Sequence, residues 1–254
     1  MSFTAFLKKE MMEIFKTTRI IILPALFLFF AVLSPLSAKY MNSILSMVGE
    51  QQGVVIQLPE PTFVQSYEQF YKNLYFMMIV VVILVFSGSI SEEKSKGMAI
   101  LVLTKGLSRV GFIACKLIAS ASLFTLSYAV SAAICVYYTA LLFPEFINGG
   151  VLASFLLFWL FGIVMLALTL LSSILCKSLT SASVGGFTAF AAISAVGALP
   201  KIGRYTPGAL QTLSVELARG DKAIGNAVPA MVVAIALIVA AIAAGMLIFN
   251  KQEL

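Results

Sequence analysis

The sequence contains no histidine, and charged residues make up only 11% of its 254 positions. Without histidine, the chain cannot form a Ser-His-Asp triad or a histidine metal cage. Soluble domains carry charge on about a quarter of their residues, so water is not the main solvent of this chain. Apolar residues account for 61% of it, which indicates a protein that lies largely within a lipid bilayer.

Cysteine is also scarce, with three irregularly spaced residues, Cys115, Cys135 and Cys176. An odd number without paired spacing predicts neither a disulfide framework nor a zinc site. The apolar runs hold no paired carboxylates, and no cysteine has a base nearby in the sequence. Because acid–base and nucleophilic catalysis need such groups, we expect that the chain is not an enzyme by itself and holds no metal.

The net charge of +6 does not by itself indicate nucleic-acid binding. The Lys and Arg residues form short clusters beside apolar runs, which is typical of loops at an anionic membrane face. We therefore expect these clusters to contact membrane lipids, and we expect no nucleic-acid partner.

Six apolar runs predict an all-α integral membrane protein, organised as a single transmembrane domain over residues 1–254. The predicted spans cover about 20–38, 73–91, 117–143, 151–175, 178–199 and 227–249. Each is close to the roughly 20 residues that cross a bilayer as a helix. None of these runs contains Asp, Glu, Lys or Arg. An ion-coupled secondary transporter usually needs an ionisable residue inside the bundle, so that class is disfavoured.

Residues 1–19 predict an amphipathic helix on the membrane surface. Its apolar positions follow helical spacing, at Phe3, Leu7, Met11 and Ile14. The same segment is also consistent with a simple polar flank of the first span. The first apolar run is longer than the core of a signal peptide, and Leu36 stands where cleavage after Ala38 requires a small residue. We therefore expect the first span to be retained.

The basic residues indicate the orientation of the spans. With six spans, most Lys and Arg residues lie on the side that carries both termini, and positive residues favour the cytoplasmic side. We expect a multi-pass protein of the cytoplasmic (inner) membrane with both termini in the cytoplasm. The segment between the fifth and sixth runs is unusually basic, which leaves a re-entrant or five-span layout open there.

That segment also predicts a short extracellular helix between spans five and six. Thr206 is suited to the N-cap, Pro207 to the first helical position and Gly220 to the C-terminal stop. Its apolar stripe would be Leu210, Leu213 and Leu217.

Residues 92–116, between the second and third spans, form the most informative segment. Glu92 and Glu93 open it, and basic residues follow. The apolar residues Met98, Leu101 and Val102 lie three to four apart between Gly97 and Gly106, which predicts a short helix with one apolar face. A charged loop with an exposed apolar face is a suitable docking surface for a soluble partner.

This segment is similar to the coupling loop that ABC-2-type permeases insert into their nucleotide-binding subunits. The matching residues are Glu92, Glu93 and Gly97 at its opening, Leu101 and Leu103 in its coupling helix, and Leu107, Ser108, Arg109 and Lys116 at its close. The sequence departs from that family at Met98, where Thr is frequent, and at Lys105–Gly106, where a Pro-containing turn is common.

The resemblance implies a transmembrane permease subunit of an ATP-driven exporter, paired with a second permease chain as a homo- or heterodimer. The chain has no Gly-x-x-x-x-Gly-Lys-Ser/Thr phosphate loop, so ATP and magnesium are expected on a separate ABC ATPase subunit, with no cofactor in this chain. The alternatives are an ion-coupled secondary transporter, a membrane-anchored enzyme or assembly factor, and a self-contained channel. The transported substrate does not follow from the sequence.

Overall fold

A computed structural model describes residues 2–51 and 60–252, and all regular secondary structure in these ranges is helical. Six helical stretches in this part of the chain are long and apolar enough to cross a membrane. The structure thereby confirms the all-α fold class with six candidate spans.

The helices follow one another with short connections. Their bounds are α1 Phe3–Lys16, α2 Arg19–Gln51, α3 Phe63–Phe86, α4 Gly88–Ser95, α5 Met98–Thr104, α6 Arg109–Leu142, α7 Val151–Leu175, α8 Leu179–Gly197, α9 Ala209–Arg219 and α10 Val228–Lys251, with 3-10 turns at Gly203–Tyr205 and Ile224–Ala227. The candidate spans are α2, α3 continued by α4, α6, α7, α8 and α10.

The observed helices agree with the predicted apolar runs at α7, α8 and α10, but α3 and α6 begin earlier than their runs. Helix α3 begins at Phe63 rather than near 73, and α6 begins at Arg109 rather than near 117. The added turns carry charged residues that find partners in the fold, such as Glu68, whose Oε1 lies 2.6 Å from Nε of Arg219. Hydropathy alone therefore places the starts of these helices too late in the sequence.

Helix α7 lies at the centre of the bundle, in contact with α3, α6, α8, α9 and α10. Aromatic rings of α3 and α7 pack against one another in edge-to-face, tilted and stacked pairs: the centroids of Tyr71 and Phe158 are 5.1 Å apart, and those of Phe70 and Phe155 are 5.8 Å apart. The buried hydroxyls of Tyr71 and Ser154 form a 2.6 Å hydrogen bond. Because lipid provides no hydrophobic drive between helices, such close packing and polar contacts hold α3 and α7 together.

The long span that begins with α3 is interrupted at Ser87, and α4 continues beyond it. The first N–H groups of α4 have no carbonyl acceptor within that helix. The hydroxyl of Ser173 on α7 instead accepts hydrogen bonds from the N–H groups of Ile90 and Ser91, both at 3.0 Å. A bundle tolerates a broken helix where neighbours satisfy the freed backbone groups. The break leads α4 into α5.

Helices α5 and α9 lie at opposite ends of the bundle. Helix α8 starts beside α4, where Leu179 lies near Gly88, and its 19 residues extend to the 3-10 turn that precedes α9, a length of about 28 Å. We call these ends the α5 end and the α9 end.

The short helix α9 lies between the fifth and sixth candidate spans, and it begins later than predicted. Gly220 ends it with a φ of +84°, and Leu210, Leu213 and Leu217 are buried as predicted. Thr206 is not the N-cap: the helix begins at Ala209, and the Thr206 hydroxyl instead donates to the Gly203 carbonyl at 2.7 Å. The Thr206 side chain thus stabilises the preceding 3-10 turn.

Candidate functional site at the α5 end

Helix α5 forms between the two predicted glycines. Gly97 and Gly106 have φ values of +68° and +88°, a region that residues with a Cβ rarely occupy. They reverse the chain on both sides of Met98–Thr104. The predicted short helix within residues 92–116 is therefore confirmed, although α4 and the first turns of α6 occupy the rest of that segment.

One side of α5 is anchored and the other is exposed. Ala99 is fully buried, and it belongs to an apolar cluster that also contains Phe6, Phe112 and Phe249. Met98, Ile100 and Leu101 are exposed, Leu101 to 63%. A short apolar patch on a helix with a buried anchor has the form of a docking surface.

Five charged side chains meet behind α5 and form what we call the charge cluster: Lys9, Glu10, Glu13, Glu93 and Lys116. Nζ of Lys116, which is 2% exposed, lies 2.7 Å from oxygens of both Glu10 and Glu93. Nζ of Lys9 lies 2.6 Å from Glu13, 2.9 Å from Glu10 and 3.2 Å from Glu93. The cluster joins α1, α4 and α6 at one point.

The two members of the cluster on the outer side of α1 have shifted pKa values. Burial alone would lower the pKa of Lys9, but the hydrogen bonds to Glu13 and Glu10 and the charge of Glu93 outweigh it and raise the pKa well above its usual value. Burial would raise the pKa of Glu13, but the hydrogen bond from Lys9 and the charge of Lys116 outweigh it and lower the pKa. Both groups are therefore charged at neutral pH.

The carboxylates of Glu10, Glu13 and Glu93 are close enough to one another to hold a cation, with oxygens within 4.8 Å. The two lysines already neutralise most of this charge and occupy most of the oxygens. The Oε2 atom of Glu93 is buried and has no hydrogen-bond partner among the described residues. The donor set therefore suits an internal ion-pair network better than a metal centre.

Arg109 fastens the start of α6 to the end of α10. Its Nη1 donates to the carbonyls of Phe249, Asn250 and Gln252 at 2.7, 3.0 and 2.7 Å. The last carbonyls of a helix lack internal partners, and a guanidinium also suits the negative end of the helix dipole. Lys94 of α4 makes a similar contact with the carbonyl of Ile174 at the end of α7.

The predicted coupling residues thus divide by environment. Glu93, Leu107 and Lys116 are buried, and Leu103 is half-buried against the apolar cluster around Ala99. Glu92 pairs with Lys96 at 3.1 Å at the surface, and the Ser108 hydroxyl caps α6 by accepting from the N–H of Gly111 at 3.0 Å. Among the nine predicted residues, Leu101 is the large apolar side chain that the fold leaves exposed.

The sequence prediction missed Glu10, which the structure places at the centre of the charge cluster. The buried face of α1 is Phe6, Glu10 and Ile14, whereas Phe3, assigned to the apolar face, is 40% exposed. The signal was present in the spacing, because Glu10 lies four residues from both Phe6 and Ile14. An acidic residue in line with apolar positions indicates a buried partner of opposite charge.

The fold and this site define a multi-pass helical membrane protein whose α5 end carries an ion-pair network and an exposed apolar helix. No protein-family model matches the chain. It is similar to YxlG, an uncharacterized transmembrane protein of Bacillus subtilis (strain 168), with 25% identity over 205 residues that cover 80% of each chain. This similarity agrees with the membrane assignment.

Proposed function

We propose that this protein is the transmembrane permease subunit of an ABC-2-type transporter and that α5 is the coupling helix that contacts a separate ABC ATPase. The observation that carries the proposal is the exposed apolar face of α5, held between two left-handed glycines and anchored by Ala99. The similarity of residues 92–116 to the coupling loop of ABC-2-type permeases supports it.

The contacts around α5 offer a route for force into the bundle. ATP and magnesium bind the partner subunits, whose closure pushes on α5. The Glu93–Lys116 pair connects the two arms of the loop to each other, and α1 joins this pair through Glu10, which contacts Lys116, and Lys9, which contacts Glu93. A push on α5 therefore moves α4, α6 and α1 together, and α4 is continuous with the α3 span apart from the break at Ser87. Two alternative packings of such rigid units are the usual basis of a transport cycle.

The proposal includes a second permease chain and a location in the cytoplasmic membrane with the α5 end and both termini in the cytoplasm. Helices α8 and α10 are apolar, yet most of their side chains are not buried by the described chain. Lipid or another permease chain covers such surfaces in a membrane. The basic residues around α4, α5 and the start of α6 favour the cytoplasmic side.

Purification of the tagged chain from its native membrane tests the proposal. We expect an ATPase with a phosphate loop to co-purify in stoichiometric amount, and Leu101→Asp to remove it, because a charge on the docking face has to be desolvated on binding. Ile147→Asp is the matched control, since Ile147 is exposed to 56% in the α6–α7 connection, outside the 92–116 segment. A chain that purifies without any ATPase contradicts the proposal.

A further inference from the structure

A cavity of about 740 Å³ opens at the α9 end, between α3, α8, α9 and the start of α10. Tyr75 and Ile193 are half-buried lining residues, and the exposed Arg204, Tyr205, Thr212 and Asn226 are among the polar residues that line it. Its volume lies within the roughly 300–1,000 Å³ of small-molecule sites. Nothing in the coupling role proposed for α5 uses this cavity.

Among the described residues that line the cavity, one cation has no ion-pair partner. Lys222 pairs with Glu216 at 2.9 Å, so these two lining residues neutralise each other. Arg204 stacks on the ring of Tyr205, with Cζ 4.6 Å from the ring centroid, and among the described residues no carboxylate forms an ion pair with it. The stacked guanidinium keeps its N–H donors available for a bound anion.

We propose that this cavity binds an anionic amphiphile, with its charged head at Arg204 and its apolar part against Tyr75 and Ile193. A guanidinium binds carboxylate or phosphate through two parallel hydrogen bonds. The half-buried side chains of Tyr75 and Ile193 provide the apolar surface. A simple inorganic anion would leave this apolar surface without a partner. The lining therefore favours a ligand that has both an anionic and an apolar part.

A phospholipid of the membrane and a transported cargo share this chemistry. Binding of a lipid in this cavity does not depend on whether the chain couples to an ATPase. Identification of the ligand as transported cargo rests on the proposed function. Two probes separate these sources: dioctanoyl phosphatidylglycerol represents the lipid, and lauric acid represents a single-chain anion. Dioctanoyl phosphatidylcholine provides the zwitterionic control for both.

The experiment measures probe binding to the purified full-length protein by native mass spectrometry and thermal stabilisation. We expect the native chain to bind one or both anionic probes more tightly than the zwitterionic control. Arg204→Gln should weaken that binding on the order of tenfold, the effect of losing one charge-assisted contact. Thr212→Trp fills the cavity from an exposed position on α9 and should weaken binding of both probes.

The matched control is Lys201→Gln, which removes a positive charge from the same connection without altering the cavity lining. It should bind the anionic probes as the native chain does. Tighter binding of phosphatidylglycerol supports a lipid site, and tighter binding of lauric acid supports a single-chain cargo. Unchanged binding in both Arg204→Gln and Thr212→Trp, or equal binding of the zwitterionic control, overturns the proposal. These readouts do not involve the ATPase, so their failure leaves the coupling proposal standing.

Discussion

At the scale of single residues, the charge cluster shows why burial matters more than the number of ion pairs. Lys116 is 2% exposed and contacts two carboxylates, whereas Lys96 has a side chain that is 60% exposed and pairs with Glu92 at 3.1 Å. An exposed pair contributes little to stability because water and salt screen it. Removing one member of a buried network instead leaves charge without compensation.

We predict that Lys116→Met destabilises the fold by about 3 kcal/mol, because Glu10 and Glu93 lose their shared cation in a buried site. Lys96→Met should cost less than about 1 kcal/mol. Thermal unfolding in detergent measures both. Adding Glu93→Gln to Lys116→Met should recover part of the loss, since one uncompensated carboxylate is then removed. Equal small effects of Lys116→Met and Lys96→Met would show that the network is not buried as described.

The outer members of the cluster predict a dependence on pH. The pKa of Glu13 is lowered in the folded protein from its ordinary 4.5, so its carboxylate stabilises the fold above that pH and the stabilisation is lost as the pH falls. The pKa of Lys9 is raised above its ordinary 10.5, so its contribution is complete below that pH and is lost on further increase. Between these limits both contributions are present.

We therefore expect Glu13→Gln to lower the unfolding temperature at pH 7, and we expect this difference to shrink as the pH falls below 4.5 and to vanish once the pH passes the lowered pKa of the folded protein. Unfolding curves of the two proteins at a series of pH values measure the difference. A constant difference across that range would contradict the assigned contact with Lys9.

The sequence identifies the residue types of this site but not their pairing. Glu93 and Lys116 stand in one segment and could be named from it, whereas their contact with Glu10 depends on how α1 packs against α6. A pattern of apolar spacing assigns a helix face only where the buried residues are apolar, and Glu10 breaks that rule on the buried face of α1.

At the scale of helices, the glycines flanking α5 were predictable because the chain must reverse there within a few residues. Gly97 lies in the left-handed region, and a Cβ built on it would meet nothing within 4 Å. Any cost of a substitution therefore arises from the backbone conformation rather than from a clash.

We predict that Gly97→Ala destabilises the protein by about 1 kcal/mol, the typical cost of a non-glycine residue in that conformation. Gly149→Ala is the matched control, since Gly149 also has open space around it and does not have a positive φ. Thermal unfolding compares the two variants. An effect of Gly97→Ala no larger than that of the control would mean that α5 is not fixed by this turn.

The break between α3 and α4 could not be predicted from the local sequence. It depends on Ser173, a residue more than 80 positions away that accepts the hydrogen bonds of Ile90 and Ser91. Ser87–Gly88 is a Gly/Ser pair of the kind at which helices kink, but the pair does not itself provide the acceptor for the amide groups that a break leaves without partners. The early starts of α3 and α6 have a related cause, because their charged residues pair with distant helices.

At the scale of the whole molecule, six apolar runs were sufficient to predict the helical class and the number of candidate spans. The arrangement of these spans around α7 depends on side-chain packing, which hydropathy does not encode. The bundle places its two polar features at opposite ends, with the charge cluster and α5 at one end and the cavity near Arg204 at the other. This separation is what a transporter requires if energy enters at one face and a ligand binds at the other.

The most direct test of whether α5 contacts an ATPase is site-specific photo-cross-linking from position 101 in intact native membranes, with position 147 as the control. Both side chains are exposed, to 63% and 56%. We predict that the residue at position 101 becomes cross-linked to an ATP-binding protein in the cytoplasm, while position 147 does not. Labelling of a cysteine introduced at position 101 by a membrane-impermeant thiol reagent added from outside the cell, or cross-links to lipid alone, would contradict the coupling role of α5.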